Sequence, residues 1–337
     1  MKLYLRIAIV LLIFIVGFGF VYEFKKYYPQ PSGETYQLVS NWPQFPEGVS
    51  IGQVSGVAVA SNGDVFVFHR AERIWEGEEL GLDLIQSATI FVLDNETGNL
   101  INSWGANFFV MPHGLTIDKD DNIWLTDVGL HQVFKFDRDG NLLMTLGERG
   151  ISGDDEYHFN MPTDVAIASD GSIYVSDGYG NSRVAKFSAD GKYITSWGSY
   201  GTETGQFNTP HSIAIDSHGQ IYVADRGNAR IQIFNENGEY LSEIKSESIG
   251  RPWAIRFDNA GNLFLVDGGD QNQFWFERAR ILKLDSQGNI LASFGSYGEE
   301  TGQFIWPHTI AIGINGELYI GEVATGMRIQ KFINAPN

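Results

Sequence analysis

The chain has 337 residues, 43% hydrophobic and 19% charged, which excludes a disordered polymer and allows one large domain or two or three small ones. Twenty-three Lys and Arg stand against 41 Asp and Glu, a net charge of −18, so a surface that tracks nucleic-acid phosphates is excluded as the main role. The absence of cysteine removes disulfides, thiolate metal sites, a Cys nucleophile and thioether haem attachment together. With 39 Gly and 13% aromatic residues, the composition favours short strands and tight hairpins over helices.

The first element is an apolar run. Lys2 and Arg6 precede the uncharged stretch Ile7 to Tyr22, and Glu23, Lys25 and Lys26 close it. Its 16 residues fall between the core of a signal peptide and a comfortable bilayer span of ~20 residues. The reading is a hydrophobic N-terminal helix over 1–26, acting as a membrane anchor or uncleaved signal. The more positive flank stays cytoplasmic, which places the rest on the extracytoplasmic side of the cell membrane. A cleaved signal, and hence secretion, is the alternative. Residues 27–36 read as a linker, and 37–337 as one domain.

That domain is a repeat. An apolar strand, a polar Gly turn, a second strand and a terminal polar residue recur six times. The copies are SGVAVASNGDVFVFHR from Ser55, HGLTIDKDDNIWLTD from His113, TDVAIASDGSIYVSD from Thr163, HSIAIDSHGQIYVAD from His211, WAIRFDNAGNLFLVD from Trp253 and HTIAIGINGELYIGE from His308. A second hairpin, turning on an X-Gly pair such as Asp139-Gly140 or Asn237-Gly238, follows each of the first five. A repeat of roughly 40–50 residues with four strands is a propeller blade, so the fold class is all-β, a six-bladed β-propeller. The sixth copy has only three strands, and Tyr36 to Trp42 is expected to supply the fourth and close the ring.

Histidines mark alternate blades. Pro112-His113, Pro210-His211 and Pro307-His308 open copies 2, 4 and 6, at intervals of 98 and 97 residues. The aligned places in copies 1, 3 and 5 hold Ser55, Thr163 and Trp253. In a six-fold ring three such imidazoles lie 120° apart on the innermost strands and converge on the axis. Three His with an open fourth position is a catalytic zinc arrangement. His69, His131, His158 and His218 share no such symmetry and read as structural or solvated. Counting strands puts the loops after each second strand on the same face, and these hold Arg70, Tyr179 and Arg226. Asp127, Asp177, Asp225 and Asp267 recur there in four blades and read as acceptors for turn backbone. The long segments Arg70 to Gln86 and Gly268 to Arg278, rich in aromatics, are placed to roof a pocket. Two cations, a phenol and a zinc on one face suggest an anionic substrate whose hydroxyl loses a proton.

The blade phrases resemble NHL-type repeats, and GSYGxETGQF occurs twice, ahead of His211 and His308. More specifically, the chain is similar to the peptidyl-α-hydroxyglycine α-amidating lyase family. GQVSGVAV and VFVFHRAERIW carry the likeness in blade 1, MPHGLTID and TDVGLHQVFKFD in blade 2, PTDVAI and VSDGYGNSRV in blade 3, and Pro210-His211-Ser212 with ADRGNARIQ in blade 4. Pro307-His308 adds to it in blade 6. The resemblance implies a zinc lyase that cleaves a carbinolamide C–N bond and releases glyoxylate and an amide. Its ligands would be His113, His211 and His308, its base Tyr179, and its carboxylate-orienting cations Arg70 and Arg226. The resemblance also implies a calcium ion on the carbonyls of Val57 and Leu115 and on a carboxylate following the third His. Thr309 stands at that last place, a weaker neutral ligand. The cysteines of the animal enzymes are missing; Gly180 occupies one such position. The substrate would be a small molecule or peptide bearing a carboxylate. A non-catalytic propeller displaying a binding surface is the competing class. A calcium-dependent hydrolase of the lactonase sort needs clustered Asp, Glu and Asn on the axis, which these blades do not offer.

Overall fold

The computed structural model describes residues 35–75, 82–269 and 278–335. The N-terminal helix expected over 1–26 and nearly all of the linker lie outside them, as do 76–81 and 270–277 of the two long segments. Among the described residues no helix is long and apolar enough to cross a membrane. They form six four-stranded antiparallel sheets, the blades of one propeller. In each blade the second strand is buried along its whole length, from Val65–His69 in blade 1 to Leu318–Glu322 in blade 6. A strand sandwiched between neighbouring blades has no solvent face, which is why these segments read as continuous apolar runs rather than strict alternation. Outermost strands such as Leu142–Leu146 and Tyr240–Ile244 are largely exposed.

Among the described residues there is no single core; six apolar clusters fill the six gaps between blades. The cluster between blades 1 and 2, for example, joins Phe66, Phe68 and Ile90 to Leu125, Phe134 and Phe136. The ring closes where Thr35–Leu38 pairs antiparallel with Ile329–Ala335, Leu38 opposite Phe332. This closing strand starts one residue earlier than Tyr36 and stops at Leu38, short of the expected Trp42. The chain turns there so that Trp42 can enter the gap between blades 6 and 1, 5.0 Å from the Tyr319 ring, with its indole N–H donating to Asp94 O at 3.2 Å.

One irregularity recurs in every blade. The register of the innermost strand against the second skips at Ser55, His113–Gly114, Thr163, His211, Trp253 and His308. A bulge bends a strand and re-aims the unpaired side chain. These are the six positions aligned in the sequence, so the bulge is the device that turns each of them out of the ladder.

Candidate active site

The three bulged histidines meet on the axis. Ring centroids of His113, His211 and His308 are 4.7–4.9 Å apart and the planes cross at 71–73°, a near three-fold arrangement. One ring nitrogen from each lies within 4.8 Å of the other two, and all three residues are buried. Each Nδ1 meets the carbonyl of the next blade's bulged residue: His113 to Thr163 at 2.6 Å, His211 to Trp253 at 2.6 Å, His308 to Ser55 at 2.9 Å. A carbonyl only accepts, so each Nδ1 must carry the proton and each Nε2 is left with a lone pair. Burial pushes all three imidazoles well below their ordinary pKa; Arg226 acts in the same sense on all three, and Arg70 on His113 and His308. The trio is therefore neutral.

Tyr179 reaches the same point. Its hydroxyl lies 2.9 Å from His211 Nε2 and 3.2 Å from His113 Nε2, while His308 Nε2 is buried with no hydrogen-bond partner among the described residues. One phenol proton cannot serve two lone pairs, and a third lone pair goes unmet. A cation between the nitrogens would relieve both deficits, and three neutral imidazoles, each fixed by a carbonyl at Nδ1, could hold a metal ion there. The loop carrying Tyr179 lies against blade 4 because Gly178 precedes it: a Cβ there would collide with the Pro210 carbonyl.

Two cations flank the phenol. Arg226, in the single turn Arg226–Asn228, sits 4.5 Å from the Trp253 ring and 5.3 Å from the Tyr179 ring, with Nη1 3.5 Å from the hydroxyl. Arg70 is buried; its Nε donates to Pro112 O at 3.1 Å and its Nη1 to Gln53 Oε1 at 2.7 Å. Desolvation lowers the Arg70 pKa to about 10, which leaves it charged at neutral pH. The six residues expected as ligands, base and cations thus come together, and the two expected calcium carbonyls, of Val57 and Leu115, lie on the innermost strands of blades 1 and 2.

Three neighbours were given no site role by sequence reasoning. Trp75 stacks edge-on against Tyr179 at 5.1 Å and lies 4.9 Å from the Arg70 guanidinium; its place in an aromatic-rich loop was the available signal. Trp253 walls the trio, 5.5 Å from His211 and 5.8 Å from His308. Gln53 fixes Arg70. Of the remaining histidines, His69 is buried, and its Nδ1 accepts from the Gly52 and Ala71 N–H groups at 3.2 and 3.1 Å. The recurring carboxylates hold turns, as expected. Asp127 accepts from four backbone N–H groups, of Val110, Met111, Gly129 and Leu130. Asp177, Asp225 and Asp267 each add an ion pair to a third-strand arginine, Arg183, Arg230 and Arg280.

Fold and centre together define a propeller enzyme with an axial trio of imidazoles. The NHL repeat family model matches residues 109–136, 159–187 and 207–234, in blades 2, 3 and 4. Peptidyl-alpha-hydroxyglycine alpha-amidating lyase 2 of Drosophila melanogaster is 34% identical over 328 residues, covering 91% of this chain and 78% of that one. The chain belongs to the peptidyl-α-hydroxyglycine α-amidating lyase family and is an enzyme of the lyase class. Peptidylglycine alpha-amidating monooxygenase of Rattus norvegicus is 40% identical over 324 residues, 88% of this chain; the match spans about a third (32%) of that longer protein. A gluconolactonase structure from Xanthomonas campestris shares the fold, with a TM-score of 0.61 over 90% of this chain and 91% of that one at 13% identity.

Proposed function

We propose that the chain is a zinc-dependent lyase that cleaves the C–N bond of an α-hydroxyglycine-type carbinolamide to an amide plus glyoxylate. The observation that carries this reading is the shared orientation of the imidazoles: three Nδ1–carbonyl bonds leave three Nε2 lone pairs facing one another beside a phenol and two guanidinium groups. His113, His211 and His308 would hold the zinc, which when bound would supply a Lewis acid for a substrate hydroxyl. Arg70 and Arg226 bind the substrate carboxylate and aim the hydroxyl at Tyr179 Oη. Tyr179 Oη, reacting as the phenolate, takes the hydroxyl proton as the carbinol C–O bond becomes a carbonyl and the C–N bond breaks, the electron pair leaving on nitrogen. The proton taken by Tyr179 is passed on to the nitrogen, so that the hydroxyl's loss and the amide's gain balance and the base is restored. Trp75 and Trp253 exclude water and fix both guanidinium planes.

Residues 1–26 are proposed to tether the propeller to the cell membrane on its extracytoplasmic side, on the strength of the charge asymmetry around Ile7 to Tyr22. Expressed whole, the chain should sediment with membranes; begun at Gln30, it should not. The deciding experiment for the activity measures metal content and glyoxylate release from an N-acyl-α-hydroxyglycine on the same preparation. One zinc per chain with stoichiometric glyoxylate and amide supports the reading. Bound zinc without turnover would make the propeller a binding module.

A further inference from the structure

Below the imidazoles the axis holds a second layer of groups, and one residue there breaks the six-fold pattern. Three positions after each bulge the blades carry Ala58, Thr116, Ala166, Ala214 and Ala311, but blade 5 carries Arg256. Its side chain spreads under the ring. Nη1 donates to Ile255 O at 2.9 Å, Asp164 Oδ2 at 3.0 Å, Ser212 Oγ at 3.1 Å and Ile213 O at 3.5 Å. Nη2 reaches Asp164 Oδ1 at 3.3 Å and Leu115 O at 3.4 Å. One guanidinium thus gathers oxygens from blades 2, 3, 4 and 5. Its carboxylate partner is buried, with a side chain only 5% exposed.

This set of oxygens, one carboxylate, one hydroxyl and several carbonyls, is what a hard divalent cation would take. The cation is already covalently present. The Leu115 carbonyl, which the family resemblance assigns to calcium, faces Arg256 instead, and Thr309 offers no charge where a carboxylate is implied. The half-open space lined by the histidines, Asp164 and Arg256 is about 10 Å³, room for one water. A calcium ion placed there would meet a guanidinium of like charge with no anion to spare. These residues do not fit calcium.

We propose that Arg256 is the resident cation of the axial cavity, taking the place of a structural divalent ion, so that the chain folds and keeps its histidine layer without calcium. Asp164 follows Thr163, whose carbonyl orients His113, and Ser212 follows His211, so the guanidinium ties down the floor under two of the three imidazoles.

The test compares the full chain and two variants in calcium chloride and in EGTA. Wild type should show no calcium by metal analysis or calorimetric titration and the same Tm in both buffers. Arg256→Lys keeps the charge and should lose only a few degrees. Arg256→Met keeps much of the volume but strands the Asp164 carboxylate; its Tm in EGTA should fall on the order of 10 °C and recover in part with calcium chloride, with one calcium bound. Stoichiometric calcium in wild type, or a Tm that drops in EGTA, would overturn the proposal. So would equal Tm values for Arg256→Met and Arg256→Lys in EGTA, since the charge would then be irrelevant. None of these readouts uses catalysis, so they stand whether or not the lyase chemistry does.

Discussion

Even and odd blades have the same topology and opposite tasks. Blades 2, 4 and 6 put an imidazole at the bulge; blades 1, 3 and 5 put a carbonyl there that accepts the Nδ1 proton of the preceding blade's histidine. The even set supplies nitrogens that could hold a metal ion, and the odd set supplies their orientation. Odd blades 1 and 3 also bring Arg70 and Tyr179, and even blade 4 brings Arg226, so the polar groups that would meet a substrate crowd one side of a nearly three-fold centre. A repeat fold generates the symmetric part at little cost, because one bulge copied six times aims six residues at the axis. Catalysis needs direction, and direction comes from loops that the blades do not share.

The largest effect should come from breaking the even set. His211→Ala removes one of three neutral donors and is expected to abolish zinc binding and glyoxylate release together, while the blades stay folded on their inter-blade clusters. His218→Ala, on an exposed turn, should change neither. Metal analysis and circular dichroism on both variants check this.

The next effect isolates the odd set. Tyr179→Phe keeps the ring contacts with Trp75 and His211 and removes only the hydroxyl. Zinc should remain at one per chain, and turnover should fall ~10²–10⁴-fold, the usual cost of losing a general base. Arg70→Lys should be milder. An ammonium cannot hold Pro112 O, Gln53 and a carboxylate in one plane, so kcat/KM should drop roughly ten- to a hundredfold with zinc unchanged.

The smallest effect sharpens a difference within the odd set. The second strand ends in Asp127, Asp177, Asp225, Asp267 or Glu322 in blades 2 to 6, but in His69 in blade 1. Desolvation lowers the His69 pKa to about 3, against about 6.5 unfolded. The unfolded chain then binds more protons below pH 6.5, so the stability held by neutral His69 is complete above that pH. It is lost as pH falls from 6.5 towards 3, by about 1.4 kcal/mol per unit. In His69→Asn the amide oxygen can still accept from the Gly52 and Ala71 N–H groups. The variant should be modestly less stable at pH 7.5 and show a shallower acid limb of Tm against pH between 6.5 and 4.5.

Much of this was legible in the chain before any coordinates. Hairpin turns and blade spacing carry the fold because strand pairing within a blade is local. The alternation of Pro-His carries the axial trio of histidines because symmetry converts sequence intervals into angles. Other parts were not legible. The closing strand ends at Leu38 rather than Trp42 because the indole finds a better place against Tyr319 than in the ladder. Trp75 stood in plain view but its contact with Tyr179 depends on how a loop of blade 1 leans over blade 3.

By itself, then, the sequence determined the six blades, the axial histidines and the loops that carry Tyr179, Arg70 and Arg226, since each follows from period, turn chemistry and position in a repeat. Only the tertiary structure decided the tautomer of each imidazole, the convergence of the phenol on two Nε2 atoms, and the hold of Arg256 on four blades. Those depend on which carbonyl faces which side chain across a blade boundary. That is a property of the closed ring, set by how the inter-blade layers seat against one another, and no local pattern along the chain encodes it.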